Sequence, residues 1–412
     1  MKSSLHKLAI FGGKPCFTEK LHVGCPNIGD RSRLLERIED LLDRRWLSNE
    51  GPFVQELEQR LADMLGVKHC IALCNGTVAL EIAIRATSMT GEVIVPSFTF
   101  VATAHALQWQ EITPVFCDVD LNTHNIDPAC IERMITPRTT GIIGVHLWGR
   151  PCAVDAVTEI ARRRNLKLLF DAAHAFGCSS NRRMIGNFGD AEVFSFHATK
   201  VFNTFEGGAV ATNNDDLARK IRLMQNFGFD GYDHVSYIGT NGKMNEVAAA
   251  MGLTSLEAIE NFVAINHQNY ERYRLELAGI PGVSLALFNE MERCNYQYVV
   301  LEIDDSLAGL SRDQIQRILW AENVVARRYF YPGCHRMEPY RSYFPHSGLL
   351  LPNTVRLSQR VLLLPTGTAI DPPTVSKICE ILHLIIRHSG EVKTRLALCD
   401  PVIPFISAPL MD

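Results

Sequence analysis

Apolar positions along the chain follow two periods that alternate. From Arg31 to Arg45, residues Leu34, Leu35, Ile38, Leu41 and Leu42 share one face of a 3.6-residue spiral, which predicts an amphipathic helix. Phe53 to Leu65 predicts a second. Short apolar runs and helical stretches then take turns. Strands are expected at His69–Leu73, Glu92–Val95, Thr113–Phe116, Gly141–Val145, Leu166–Phe170 and Val193–Phe196. Helices are expected at Val78–Ala86, Val101–Gln108, 128–135 and Val154–Arg164. Strands separated by helices predict a largely parallel sheet, so the expected class is α/β. After a polar, glycine-rich loop at Ile238–Glu246 come helices Val247–Ile259 and Asn261–Leu277. A smaller α+β unit should follow: strand Gln297–Ile303, helix Arg312–Glu322, strand Val324–Phe330, a strand region at Ser358–Pro365 and a terminal helix Pro373–Arg387. The expected division is 1–260 for N-terminal helices and a large domain, 261–390 for a small C-terminal domain, and 391–412 for an extension with an apolar, proline-containing end.

Composition narrows the partners more than the fold. The 412 residues are 47% hydrophobic and 21% charged, with net charge −4, so nothing favours nucleic acid or an anionic membrane. No apolar run is long enough to span a bilayer, and the start, Met1–His6, has no signal-peptide core; a cytoplasmic location is expected. Twelve cysteines are scattered without a C-x-x-C pair, and several, such as Cys117 and Cys379, read as small buried hydrophobes. Fourteen histidines lack metal-ligand spacing, so no metal is expected.

The chemistry concentrates between Phe170 and Gly208. Asp171-Ala172-Ala173-His174 follows the apolar run Leu166–Phe170, which puts Asp171 at the carboxyl end of a buried strand, where open α/β sheets place their sites. In Ser195-Phe196-His197-Ala198-Thr199-Lys200, Lys200 follows a second strand, Val193–Phe196, and Glu206-Gly207-Gly208 comes next. Taken singly, Asp171 reads as a strand-end turn residue and Lys200 as a solvated loop lysine. Together the two motifs resemble those of the DegT/DnrJ/EryC1/StrS family of sugar aminotransferases, which have the aspartate aminotransferase (type I) fold of pyridoxal-phosphate enzymes. The resemblance spans about Gly12 to Ile386.

That resemblance implies roles residue by residue. Lys200 would form the Schiff base with pyridoxal 5′-phosphate and move protons, while Asp171 would keep the pyridine nitrogen protonated. His174 would lie near the ring and substrate; a satisfied structural histidine is the alternative. Gly76 and Thr77, at a strand-to-helix turn, would belong to the phosphate cup with Ser195; an ordinary N-cap is the alternative. Phe100 would stack on the cofactor ring, with Phe98 as competitor. Asn241 would reach the other subunit's cofactor phosphate, making the enzyme a homodimer with active sites at the subunit interface. Ser48, Asn49, Lys243, Arg327, Tyr331 and His335 would contact the nucleotide sugar, the arginine offering forked donors to a diphosphate. The implied reaction moves an amino group from an amino acid, by family habit glutamate, to a nucleotide-linked keto sugar, foremost a dTDP-4-keto-6-deoxyhexose. Three alternatives stay open: amination at C3 or of an inosose, a lyase or dehydratase, and a non-catalytic regulator on the same fold. Lys200 stands against the dehydratase branch, which replaces that lysine with histidine.

Overall fold

The computed structural model describes residues 2–398. A seven-stranded sheet forms the larger half, in the order His69–Leu73, Gly208–Thr212, Ala191–Ser195, Lys167–Asp171, Thr139–Val145, Glu92–Pro96, Thr113–Cys117. Every neighbouring pair is parallel except those made by Gly208–Thr212, which runs antiparallel to both its neighbours. Two reversals in succession restore direction. The carboxyl ends of all six other strands therefore open on one edge, which collects Cys74–Gly76, Pro96–Phe100, Val145, Asp171 and Ser195.

Side chains alternate across this sheet, as period two demands. Ile71, Leu73, Val93, Val95, Ile143, Leu169, Val193 and Val210 enter one apolar core; Cys70, Ala72, Ile94, Ile142, Leu168, Phe170, Phe194 and Ala211 enter the other. Strand Gly208–Thr212 has no counterpart in the sequence reading. Its five residues are small or β-branched and wholly buried, and they follow a loop instead of a helix, so the strand–helix rhythm gives no cue.

The two helices expected at Val247–Ile259 and Asn261–Leu277 are one, Glu246–Leu277. The polar pair Glu260-Asn261 lies on a helix surface where neither glycine nor proline interrupts the ladder, so the helix runs through. Its first half packs into the large core (Ala248 to Phe262) and its last turns into the C-terminal core (Tyr273, Leu277). At 1.5 Å per residue it extends about 48 Å, and the residue-260 boundary falls inside it. Among the described residues it is the one helix long and apolar enough to cross a membrane, and 56% of that stretch is buried within the fold.

The C-terminal half centres on an antiparallel sheet of Val283–Leu285, Val299–Ile303 and Val361–Leu364. Ser358–Pro365 is thus only partly strand, since Pro352–Arg360 is helical. The expected strand Val324–Phe330 shrinks to Val324–Val325, paired with Leu21–His22; Arg327 then makes a single bridge to Leu363. Leu5 and Leu8 are buried in this C-terminal core, so the chain's first residues pack far from their sequence neighbours. Helix Ser389–Leu398 buries Val392 and Leu396 there too. The apolar end expected within 391–412 lies, from residue 399 on, outside the described residues.

Candidate active site

The strand ends converge on a cavity of about 540 Å³. Asp171 stands at its floor with both carboxylate oxygens engaged. Oδ2 accepts from Thr103 Oγ1 at 2.8 Å, and Oδ1 accepts from the Ala173 amide at 3.1 Å. Lys200 enters from the turn after Ala191–Ser195, where its amide donates to the His197 carbonyl at 2.9 Å; its Nζ donates to Tyr298 Oη at 3.4 Å. His174 lies against the Tyr298 ring, with centroids 4.4 Å apart, and stacks on Trp148 at 5.8 Å. Burial, reinforced by the Lys200 charge, holds its pKa well below the usual imidazole value, so His174 is neutral.

A second feature is built for an anion. Helix Gly76–Ala86 starts at the cavity wall. Its N-cap, Asn75, occupies the amides of Val78 (2.8 Å to Oδ1) and Ala79 (3.1 Å to its main-chain oxygen), while Gly76 and Thr77 face the cavity. Ser195 closes the other side: a Cβ on Gly76 would come within 2.9 Å of Ser195 Cβ and 3.3 Å of its Oγ. Two amides at a helix start beside a hydroxyl suit a phosphate. Gly208 is explained by the same turn, since a Cβ there would sit 2.6 Å from the Asn75 carbonyl carbon and 2.7 Å from the Gly76 nitrogen. The second glycine of Glu206-Gly207-Gly208 thus lets the sheet approach the phosphate turn. An anion cup, a carboxylate, a lysine and apolar walls around one cavity fit pyridoxal phosphate.

Of the sequence-derived residues, Gly76, Thr77, Phe100, Asp171, His174, Ser195 and Lys200 all line this cavity. Phe100 is 48% exposed, whereas its competitor Phe98 is 1% exposed and packed among Trp148, Tyr298 and Phe330. The other seven lie elsewhere. Asn49 and Lys243 meet in a separate cavity of about 290 Å³. Ser48 is exposed beside Asn49. Asn241 sits against Cys74, its carbonyl 3.9 Å from Cys74 Sγ. Arg327 lies over the ring of Tyr329, a cavity residue, at 5.3 Å. Tyr331 is 42% exposed under Arg328 and Arg312. His335 is buried, its Nδ1 2.8 Å from Ser97 Oγ, which pins the segment after Tyr331 to the end of strand Glu92–Pro96.

Thr103, Tyr298, Tyr329 and Phe330 also line or support the site, yet the sequence reading places them only within predicted elements and gives them no site role. Thr103 could have been found: it lies on the helix after Phe100, four residues from Thr99, whose hydroxyl it meets at 3.1 Å. Tyr298 and Phe330 arrive from the C-terminal half, and no local pattern distinguishes them from core aromatics.

The model of the DegT/DnrJ/EryC1/StrS aminotransferase family matches residues 29–383. The dTDP-4-amino-4,6-dideoxy-D-glucose transaminase of Shigella dysenteriae is 37% identical over 380 residues, 92% of this chain and 100% of its own. The GDP-perosamine synthase of Caulobacter vibrioides is 36% identical over 331 residues, 78% of this chain and 87% of its own. The solved structure of DesI, obtained in the presence of its TDP-sugar product, is 49% identical and superposes with a TM-score of 0.92, covering 96% of this chain and 100% of that one. With so much of the chain matched, and a cavity shaped for the cofactor, the chain belongs to the DegT/DnrJ/EryC1/StrS family and is a pyridoxal-phosphate-dependent aminotransferase.

Proposed function

We propose that this enzyme exchanges an amino group between L-glutamate and C4 of a dTDP-linked 4-keto-6-deoxy sugar. The observation that carries the chemistry is the meeting of Asp171, Lys200 and the Gly76–Ser195 turn around one cavity. The Shigella dysenteriae relative, named for dTDP-4-amino-4,6-dideoxy-D-glucose, supports the nucleotide and the position of amination, and DesI, solved with a TDP-sugar product, supports the nucleotide. Pyridoxal phosphate, when bound, supplies an electron sink that makes the α-proton of an amino acid removable. The protein's own part is division of labour. The helix start at Gly76 and Thr77, with Ser195, would hold the phosphate. Asp171, fixed by Thr103, would keep a proton on the ring nitrogen. Lys200 would hold the cofactor aldehyde and, once released, would take the proton from the donor's α-carbon as a base and return it as an acid. Neutral His174 stands beside the lysine without adding a competing charge. Phe100 would cover the ring.

The nucleotide would lie toward Arg327 and Tyr329 at the cavity rim, with Tyr331 behind them. We propose a homodimer in which Asn241, Lys243, Ser48 and Asn49 serve the partner's cavity. Supporting this, the loops around them carry exposed apolar side chains: Trp46, Leu47, Phe227, Phe229, Val235 and Ile238. Leu35 and Leu42, on the apolar face of the first amphipathic helix, are 49% and 57% exposed as well. With soluble metabolites as substrates, the cytoplasm is the proposed location.

Incubating the loaded enzyme with glutamate and dTDP-4-keto-6-deoxyglucose, and following dTDP-4-amino-4,6-dideoxyglucose and 2-oxoglutarate by mass spectrometry, tests the reading. Formation of both in equal amounts is expected. Turnover of a 3-keto isomer and not of the 4-keto sugar would overturn the position. Sedimentation in solution tests the dimer.

A further inference from the structure

The segment Asn295–Tyr298 reaches out of the C-terminal half and holds both loops that carry the chemistry. Asn295 Nδ2 donates to the main-chain oxygens of His174 at 2.9 Å and Phe176 at 3.1 Å. Gln297 Nε2 donates to the carbonyl of Thr199 at 3.2 Å. The next residue, Tyr298, accepts from the amine of Lys200 at 3.4 Å. Two adjacent residues thus grip two adjacent residues, one by its backbone and one by its side chain.

The Tyr298 ring is itself immobilised. It is 5% exposed, meets Trp148 edge-on at 5.5 Å and 69°, and lies against His174 at 4.4 Å. Its oxygen is therefore at a fixed point. The lysine amine rides on a flexible four-carbon stem, and the Tyr298 oxygen gives it a fixed acceptor at 3.4 Å. Proton transfer needs the amine within hydrogen-bond reach of the carbon it serves, so its resting position sets the rate.

We propose that Tyr298 is a positioning residue for transamination, its hydroxyl holding the released Lys200 amine where it collects and returns the proton. The inference rests on Lys200 as the proton carrier, as read above. The proton passes from the α-carbon to Lys200 Nζ and on to the acceptor carbon, and no bond of Tyr298 is made or broken. The hydroxyl suits both states of the amine: it accepts from an ammonium and donates to a free amine. Burial, with the Tyr329 phenol adding to it, pushes the Tyr298 pKa well above the usual tyrosine value, so the group stays neutral throughout.

The test is Tyr298→Phe, which removes one oxygen and keeps the ring packing. The single-turnover rate of amino uptake from glutamate should fall about 10- to 100-fold. The half-saturating glutamate concentration should stay within about two-fold, because the residue acts on the proton step and not on binding. An activity-free readout accompanies it: acylation of Lys200 in the apoenzyme across pH, followed by mass spectrometry of its peptide. The half-modification point should move down, since a partly buried ammonium loses an acceptor. Wild-type rate and labelling would overturn the proposal. So would a rate loss that merely tracks lowered melting temperature and cofactor affinity, which marks fold support. Should Phe not be tolerated, 3-fluorotyrosine at 298 makes the phenol more acidic at nearly constant shape; an unchanged rate there also overturns it. Neither readout uses a sugar, so failure of the nucleotide-sugar assignment leaves this test standing.

Discussion

Thr103 donates its hydroxyl to Oδ2 of Asp171 at 2.8 Å, and the Thr103 oxygen lies 3.1 Å from that of Thr99. This short chain orients the carboxylate from the helix that follows Phe100. A hydrogen bond to a charged group contributes about 1.5–3 kcal/mol. Thr103→Val should therefore weaken cofactor binding about ten-fold, or ~1.4 kcal/mol, whereas Thr103→Ser should stay near wild type. Fluorescence titration of the apoenzyme with pyridoxal phosphate reads both. Equal affinity in Thr103→Val would mean that Asp171 is held by its strand and the Ala173 amide alone.

Gly76 and Ser195 are packed too tightly for any side chain between them. The Cβ of Gly76→Ala would meet Ser195 Cβ at 2.9 Å, so the helix start must move off the strand end. Overpacking of this kind costs about 1–3 kcal/mol. The variant should melt lower than wild type and bind pyridoxal phosphate at least about ten-fold more weakly, while Ser195→Ala should lose affinity with little change in melting. A Gly76→Ala enzyme of normal cofactor affinity would remove this turn from the phosphate site.

Acid should destabilise the protein partly through His335. Burial, with the neighbouring Arg336 charge, lowers its pKa to about 4. Its amide donates to Ser97 Oγ at 3.0 Å, so the serine hydroxyl is turned to donate to Nδ1, which must stay unprotonated. The unfolded chain takes up this proton near pH 6.5 and the folded chain only near 4. The contribution is therefore complete above about pH 6.5 and is lost as pH falls toward about 4. His335→Asn keeps an acceptor for Ser97 without the titration. Urea melts between about pH 7 and pH 4.5 should show a shallower loss for the variant than for wild type. Parallel pH profiles would contradict this.

The alternation of apolar strands and helices carried most of the large half of the fold, and the carboxyl-end rule carried Asp171 to the cavity. These are local signals, and the parallel sheet converts them into a shared edge. What escaped them is non-local. Strand Gly208–Thr212 breaks the rhythm because it is reached through a loop. Tyr298 and Phe330 enter from the other half, their ring contacts with Trp148 and His174 invisible along the chain. His335 and Tyr331 share a short stretch near the cavity rim, yet the bond to Ser97 turns His335 into the interior. Leu35 and Leu42 share one apolar face with Leu34 and Leu41 yet are exposed, because periodicity marks what is apolar, not what covers it.

The proposed chemistry depends above all on Lys200. The visible absorbance of the purified enzyme with pyridoxal phosphate should show a cofactor band that converts to the pyridoxamine form when glutamate is added. Lys200→Ala should bind the cofactor, show neither that initial band nor the conversion, and turn over nothing. A wild-type protein that stays colourless with pyridoxal phosphate, or near-normal turnover by Lys200→Ala, would contradict the mechanism.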